Sequence, residues 1–119
     1  QKKLLLEEDN LVLDSRIGFF WEAKLGIEKV DIFLDVADAV AASRAFVTDS
    51  RLADRKFKDL NDTLLCNQRR IEVEKERYQV LYGIKDYHDR ENFDLIINTT
   101  HMYASNVCKI IYDYIMTPI

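Results

Sequence analysis

The chain has 119 residues, with 17 Lys and Arg against 21 Asp and Glu, a formal net charge of -4 and 48% hydrophobic residues. That length allows one domain spanning residues 1–119, and the apolar content is too high for a disordered acidic tail, so a folded unit is expected. The negative charge argues against non-specific binding to nucleic acid or an anionic membrane, and the longest apolar runs fall far short of the about 20 residues that span a bilayer, so a cytoplasmic protein is expected.

In chain order, the opening KKLLLEEDN reads like the last turns of a helix feeding a strand rather than a natural start, so an upstream part is expected. Residues 10–15 (NLVLDS) and 29–36 (KVDIFLDV) are runs rich in Val, Ile and Leu, the pattern of strands buried on both faces of a parallel sheet. Between them IGFFWEAKLG supplies two or three helical turns that stop at Gly26, a residue suited to the left-handed helix terminus. The Ala-rich segment 37–47 has helical propensity, with Asp38 as its expected N-cap. A long helix is expected from Asn61 or Asp62 to a stop at Gly83; charges crowd its middle, so it reads as a solvated arm rather than a core helix. KDYHDREN is a polar loop, FDLIINTT a third buried strand, and Ser105 to Met116 a last helix with Val107, Ile110, Ile111 and Ile115 on one face.

Three buried strands separated by helices predict an α/β fold with parallel pairing, and ligands of such sheets gather at the carboxyl ends of the strands. Those ends present Asp14, Ser15 and Arg16, then Asp35, then Asn98 and Thr99. Arginines are the most informative bias on this net-acidic chain: Arg16, Arg44, Arg51, Arg55, Arg69, Arg70 and Arg77 would suit a polyphosphate, because a guanidinium is permanently charged and grips phosphate oxygens with parallel donors. Arg70, Glu74 and Arg77 stand at spacings of four and three, so one helical face could hold a phosphate and a sugar hydroxyl; the same spacing also suits an ordinary ion-pair ladder on a solvated helix. Cys66 and Cys108 are expected as reduced core thiols, and neither they nor His88 and His101 stand at metal-ligand spacing, so no resident metal site is expected. Trp21 and the Phe19-Phe20 pair are expected in the core or at a domain contact.

The order LVLDSRIGF, VDIFLDVADAVAASRAF, RRIEVEKERYQVLYGI and FDLIINTT, closed by an amphipathic helix, resembles the C-terminal two-thirds of a cytidylate kinase. The resemblance implies a three-layer parallel sheet with flanking helices, of the P-loop NTPase type and incomplete at its N-terminus, that moves the γ-phosphate of ATP, with Mg²⁺, to CMP or dCMP. It implies Asp14, Arg16 and Glu74 as substrate-binding residues, Arg70 and Arg77 as catalytic phosphate contacts, and a lid and arm region at about 44–83 with Arg44, Arg51 and Arg55 on the ATP side. Ile71 stands where the family has an acid, Ala41 where an Arg is usual, and Tyr103 where Ser or Thr usually caps the last helix. The family's Gly-x-x-x-x-Gly-Lys-Ser/Thr loop has no counterpart at Gly18, Gly26 or Gly83, so the chain is expected to be cut before Gln1. The alternative is a degenerate kinase scaffold serving as a non-catalytic interaction module, for which a homodimer would cover the exposed sheet.

Overall fold

The computed structural model describes residues 12–26 and 29–117. Five elements precede the last helix: α1 (Gly18–Leu25), β1 (Ile32–Asp35), α2 (Asp38–Ser50), α3 (Leu60–Tyr82) and β2 (Leu95–Asn98), with a short 3₁₀ turn at Arg90–Asn92; α4 (Ala104–Met116) follows. β1 and β2 pair in parallel, Ile32 opposite Leu95 through Asp35 opposite Asn98, so α2 and α3 form the crossover of one β-α-α-β unit. The pairing extends beyond both ends. Asp94 and Leu95 donate their N–H groups to the Asp31 carbonyl at 2.8 and 3.2 Å, and the Thr99 N–H reaches the Asp35 carbonyl at 2.7 Å.

This is an α/β arrangement, but the expected three-stranded sheet is corrected to two strands among the described residues. Residues 12–15 carry no strand, and Val12 is 97% exposed, because no described strand covers it. Residues 10 and 11 of that expected strand lie outside the described residues. The core is small: Ile17, Ala42, Tyr87, Ile97 and Val107 are buried, joined by the side chain of Thr63, whose hydroxyl donates to the Asp59 carbonyl at 2.9 Å. α2 packs against α3, and the buried residues of that pair include Ala42 and Thr63, both small enough to let the helices approach closely.

Helix ends follow local chemistry. Gly83 (φ 71°) closes α3 in the left-handed region and donates its N–H to the Gln79 carbonyl at 3.0 Å, while Gly26 (φ 66°) follows α1. α3 starts one to two residues earlier than expected, because Asp59 caps it by accepting from the Asp62 N–H at 2.7 Å, and Asp62 in return accepts from the Lys58 N–H. Asp38 is not the N-cap of α2: Ala37 holds that position, and Asp38 lies in the first turn, where its charge still favours the helix dipole. At α4 the Asn106 carboxamide accepts from the Tyr103 N–H at 3.1 Å, the polar cap that Tyr103 itself does not make. Cys66 and Cys108 are both free and exposed rather than core residues, because each falls on the outer side of its helix. Among the described residues no helix is long and apolar enough to cross a membrane.

Candidate functional site

Along α3, positions four apart stack into one ridge, because 3.6 residues complete a turn. Arg70, Glu74, Tyr78 and Tyr82 form such a ridge, and it faces the 14–17 turn. The structure brings Arg16 and Arg70 together on Glu74: Arg16 Nε lies 3.2 Å from Glu74 Oε2 and Arg70 Nε 4.0 Å from Oε1. The Glu74 residue is only 7% exposed, so α3 is more than a solvated arm at this point. A buried carboxylate is tolerated only when charged and hydrogen-bonding partners replace its water, and here two cations and a phenol do so. The phenol is Tyr87, whose hydroxyl donates to Glu74 Oε2 at 2.8 Å.

Beside this cluster opens a cleft of 320 Å³ lined by residues 14–17, Trp21, Tyr78 and Tyr82, with a smaller hollow of 260 Å³ on the Asp14-Ser15-Arg16 turn itself. The aromatic wall is built rather than incidental. Trp21 and Phe20 pack on Tyr82 with ring centroids 5.5 and 5.2 Å apart, and Tyr78 stacks on Tyr82 at 6.4 Å. Trp21 is half-buried at the mouth rather than deep in a core, whereas Phe19 packs inward against Phe93 at 5.6 Å. The turn is shaped locally by the Ile17 N–H donating to the Ser15 hydroxyl at 3.3 Å, and burial of Ile17 pins it to the body of the protein.

The remaining expected site residues are dispersed. Arg77 lies off the ridge, exposed, and forms no ion pair with a described residue. Arg44 ties α2 to the end of β2, donating to the Thr99 carbonyl at 2.8 Å and the Thr99 hydroxyl at 3.3 Å. Arg51 and Arg55 lie exposed in the connection between α2 and α3. That connection is held by Asp49, whose carboxylate accepts from the Lys56 and Phe57 N–H groups at 3.0 to 3.1 Å; these bonds, Phe57 first, hold its ionisation below the ordinary carboxylate value. Asp35 is engaged by Arg90, which approaches it at 3.1 Å and lies 4.0 Å above the Phe33 ring.

Four participants were not read from the sequence. Tyr87 sits in a run of polar residues, and only its being the one aromatic there could have marked it as an anchor. Arg90 falls in the same run. Tyr78 and Tyr82 had a legible signal, since they continue the four-residue spacing begun by Arg70 and Glu74. His88 lies against Tyr87 and Phe33, with ring centroids 4.1 and 5.4 Å away, and burial pushes its ionisation below the ordinary histidine value. Among the described residues no group of three or more His, Cys, Asp or Glu could hold a metal ion.

Comparison with known proteins relates the chain, distantly, to cytidylate kinases. It is 30% identical over 88 residues to a cytidylate kinase of Pyrobaculum neutrophilum, covering 74% of this chain and 44% of that protein. It is 29% identical over 102 residues to one of Thermoplasma acidophilum, covering 86% of this chain and 50% of that protein. A third similarity, 30% over 107 residues, is to an S-adenosylmethionine-dependent nucleotide dehydratase of Lacinutrix mariniflava, covering 90% of this chain and 20% of that protein. The chain thus spans about half the length of the cytidylate kinases it matches. No family model and no solved structure matches it.

Proposed function

We propose that this chain carries the acceptor side of a cytidylate kinase-like phosphotransferase, in which the γ-phosphate of ATP passes to CMP or dCMP. The observation that carries this reading is the pair of guanidiniums converging on buried Glu74 beside an aromatic-walled cleft. Phosphoryl transfer asks little covalent chemistry of a protein and much positioning and charge neutralisation, which permanently charged, pre-oriented guanidiniums supply. Arg16 and Arg70 hold the acceptor phosphate, Asp14 and the Ser15 turn border its sugar, and the Trp21, Tyr78 and Tyr82 rings offer aromatic contacts to the base. Arg77 approaches the phosphate only by reorienting from solvent. The relatives add support of a different kind: both kinds of protein are named for acting on nucleotides, although their chemistries differ.

The donor side is not formed by these residues. Gly26 and Gly83 terminate helices, Gly18 opens one, and none begins a loop whose N–H groups would cradle the phosphates of ATP. The Asp35 carboxylate is already paired with Arg90, and no step is assigned through Mg²⁺. A completed three-layer P-loop sheet belongs to this proposal.

Binding tests it without turnover. The chain has one tryptophan, and it lines the cleft, so CMP should change its emission and raise the melting temperature, whereas cytidine without the phosphate should do neither at the same concentration. Arg16→Ala and Arg70→Ala each remove a charged hydrogen-bond donor worth about 1.5–3 kcal/mol, so each should weaken CMP binding by about 10- to 150-fold. Absence of any CMP response in the folded wild-type chain overturns the assignment.

A further inference from the structure

Glu74 pairs with both arginines, closely with Arg16 and at the outer range of an ion pair with Arg70. The nearest approach of each guanidinium is through Nε, at 3.2 Å for Arg16 and 4.0 Å for Arg70, and the two side chains stay 55% and 58% exposed. At 3.2 Å the carboxylate restrains the Arg16 guanidinium at its inner nitrogen, whereas at 4.0 Å Arg70 is held by charge attraction alone; the Nη fork of a guanidinium is the part that takes phosphate oxygens in parallel. The carboxylate acts as a strut, and a strut is only as fixed as its own anchorage.

That anchorage is Tyr87. Its hydroxyl donates at 2.8 Å to Oε2, the same oxygen that Arg16 Nε approaches. The Tyr87 residue is 3% exposed, meets Tyr78 edge-on at 5.2 Å and lies against the His88 ring at 4.1 Å, so ring and hydroxyl have little freedom to rotate away. The phenol is a proton donor at neutral pH, and burial, with Glu74 alongside, pushes its ionisation further above the ordinary value of 10.0. Tyr87 also sits on the loop that leads through the 3₁₀ turn into β2, which joins the arginine cluster to the sheet.

We propose that Tyr87 is a positioning residue for the arginine pair: by fixing the Glu74 carboxylate it sets where the Arg16 guanidinium is held and toward which point Arg70 is drawn, and so the phosphate-gripping geometry of the cleft. The inference about orientation stands on the geometry alone; its consequence for CMP rests on the acceptor-site proposal above.

Tyr87→Phe keeps the ring and removes only the hydroxyl. In nitrogen-15 spectra of the 119-residue chain, the Nε–H signal of Arg16, resolved in the wild type, should collapse toward the free-arginine position in Tyr87→Phe. CMP affinity, read from Trp21 emission, should fall by about tenfold, the loss expected when one hydrogen bond to a charged group ceases to fix the site. Glu74→Gln, which leaves a group to accept from Tyr87, should release the same signal. A merely structural Tyr87 would lower the melting temperature and leave both the Arg16 Nε–H shift and CMP affinity where they were. An unchanged Arg16 Nε–H shift in folded Tyr87→Phe overturns the proposal whatever CMP does. A wild-type chain that ignores CMP overturns the acceptor assignment instead, with the Arg16 signal still deciding the role of Tyr87. Should Tyr87→Phe fail to fold, the wild type decides: a magnetisation-transfer contact between the Tyr87 hydroxyl proton and the Arg16 Nε–H supports the shared oxygen, and its absence overturns it.

Discussion

Replacing Arg44 by Met keeps an unbranched apolar stem and removes the guanidinium, which isolates what its charge does. In the structure the charge is a tie between layers: the Arg44 guanidinium reaches the Thr99 carbonyl at 2.8 Å, the Thr99 hydroxyl at 3.3 Å and the Thr100 carbonyl at 3.4 Å. Only the first of these is short, and a hydrogen bond with one charged partner contributes about 1.5–3 kcal/mol. Arg44 itself is exposed, so water competes for it and the lower end applies, about 1.5 kcal/mol. The two longer contacts add little at such separations. For a chain of this size each kcal/mol displaces the melting temperature by roughly 4 °C, so Arg44→Met should melt about 6 °C lower. Urea unfolding followed by circular dichroism should show the midpoint falling with an unchanged slope, since the surface exposed on unfolding is nearly the same. CMP-dependent emission of Trp21 should be untouched, because Arg44 does not line the cleft. A melting temperature within about 1 °C of the wild type would refute the tie, because a loss of 1.5 kcal/mol cannot hide in so small a shift.

Other perturbations follow from single features. Gly83→Ala places a Cβ at φ +71° with nothing within 4 Å to clash, so its cost is backbone strain alone, about 1–2 kcal/mol, and Gly83→Asn should recover part of the lost melting temperature. Asp49 has a folded ionisation held below its ordinary value of 3.8, so the stability it contributes is present above that pH and lost as the pH falls through the lower folded value. Urea midpoints measured from pH 5 down to about 2 should fall more steeply in the wild type than in Asp49→Asn. Tyr87 has its ionisation raised above the ordinary value of 10.0, so its contribution is complete below that pH and is lost as the pH climbs toward the folded value. Stability should decline above about pH 10 in the wild type, and Tyr87→Phe should flatten that decline.

Much of the fold was legible because it is written locally. Gly26 and Gly83 stop helices through an intrinsic ease at positive φ, and the β1 and β2 runs reveal themselves by Val, Ile and Leu. The misreadings share one cause, which is that burial depends on partners distant in the chain. NLVLDS has the composition of a buried strand, yet Val12 and its described neighbours have no described strand beside them to pair with. Cys66 and Cys108 have the chemistry of core residues, yet the helices turn both outward. The start of α3 differs for a local reason: Asp59 accepts from the Asp62 N–H, which brings the first turn forward to Leu60.

The candidate site shows the same division within a single helix. A four-residue spacing places Arg70 and Glu74 on one face, and an ion-pair ladder in water would require no more than that. Here, though, the i,i+4 partner is the more distant one at 4.0 Å, and the closer guanidinium, at 3.2 Å, comes from the turn before α1. What separates a solvated ladder from a built site is therefore the burial of the acid, and that burial is produced by a tyrosine thirteen residues along the chain in a loop whose composition reads as fully exposed. Following the same ridge two turns further would have reached Tyr78 and Tyr82, whereas the step of three that leads from Glu74 to Arg77 leaves the ridge for solvent. The strict i+4 line holds here because the site is made where a helix ridge meets a turn, and only side chains stacked along that line can face the turn together.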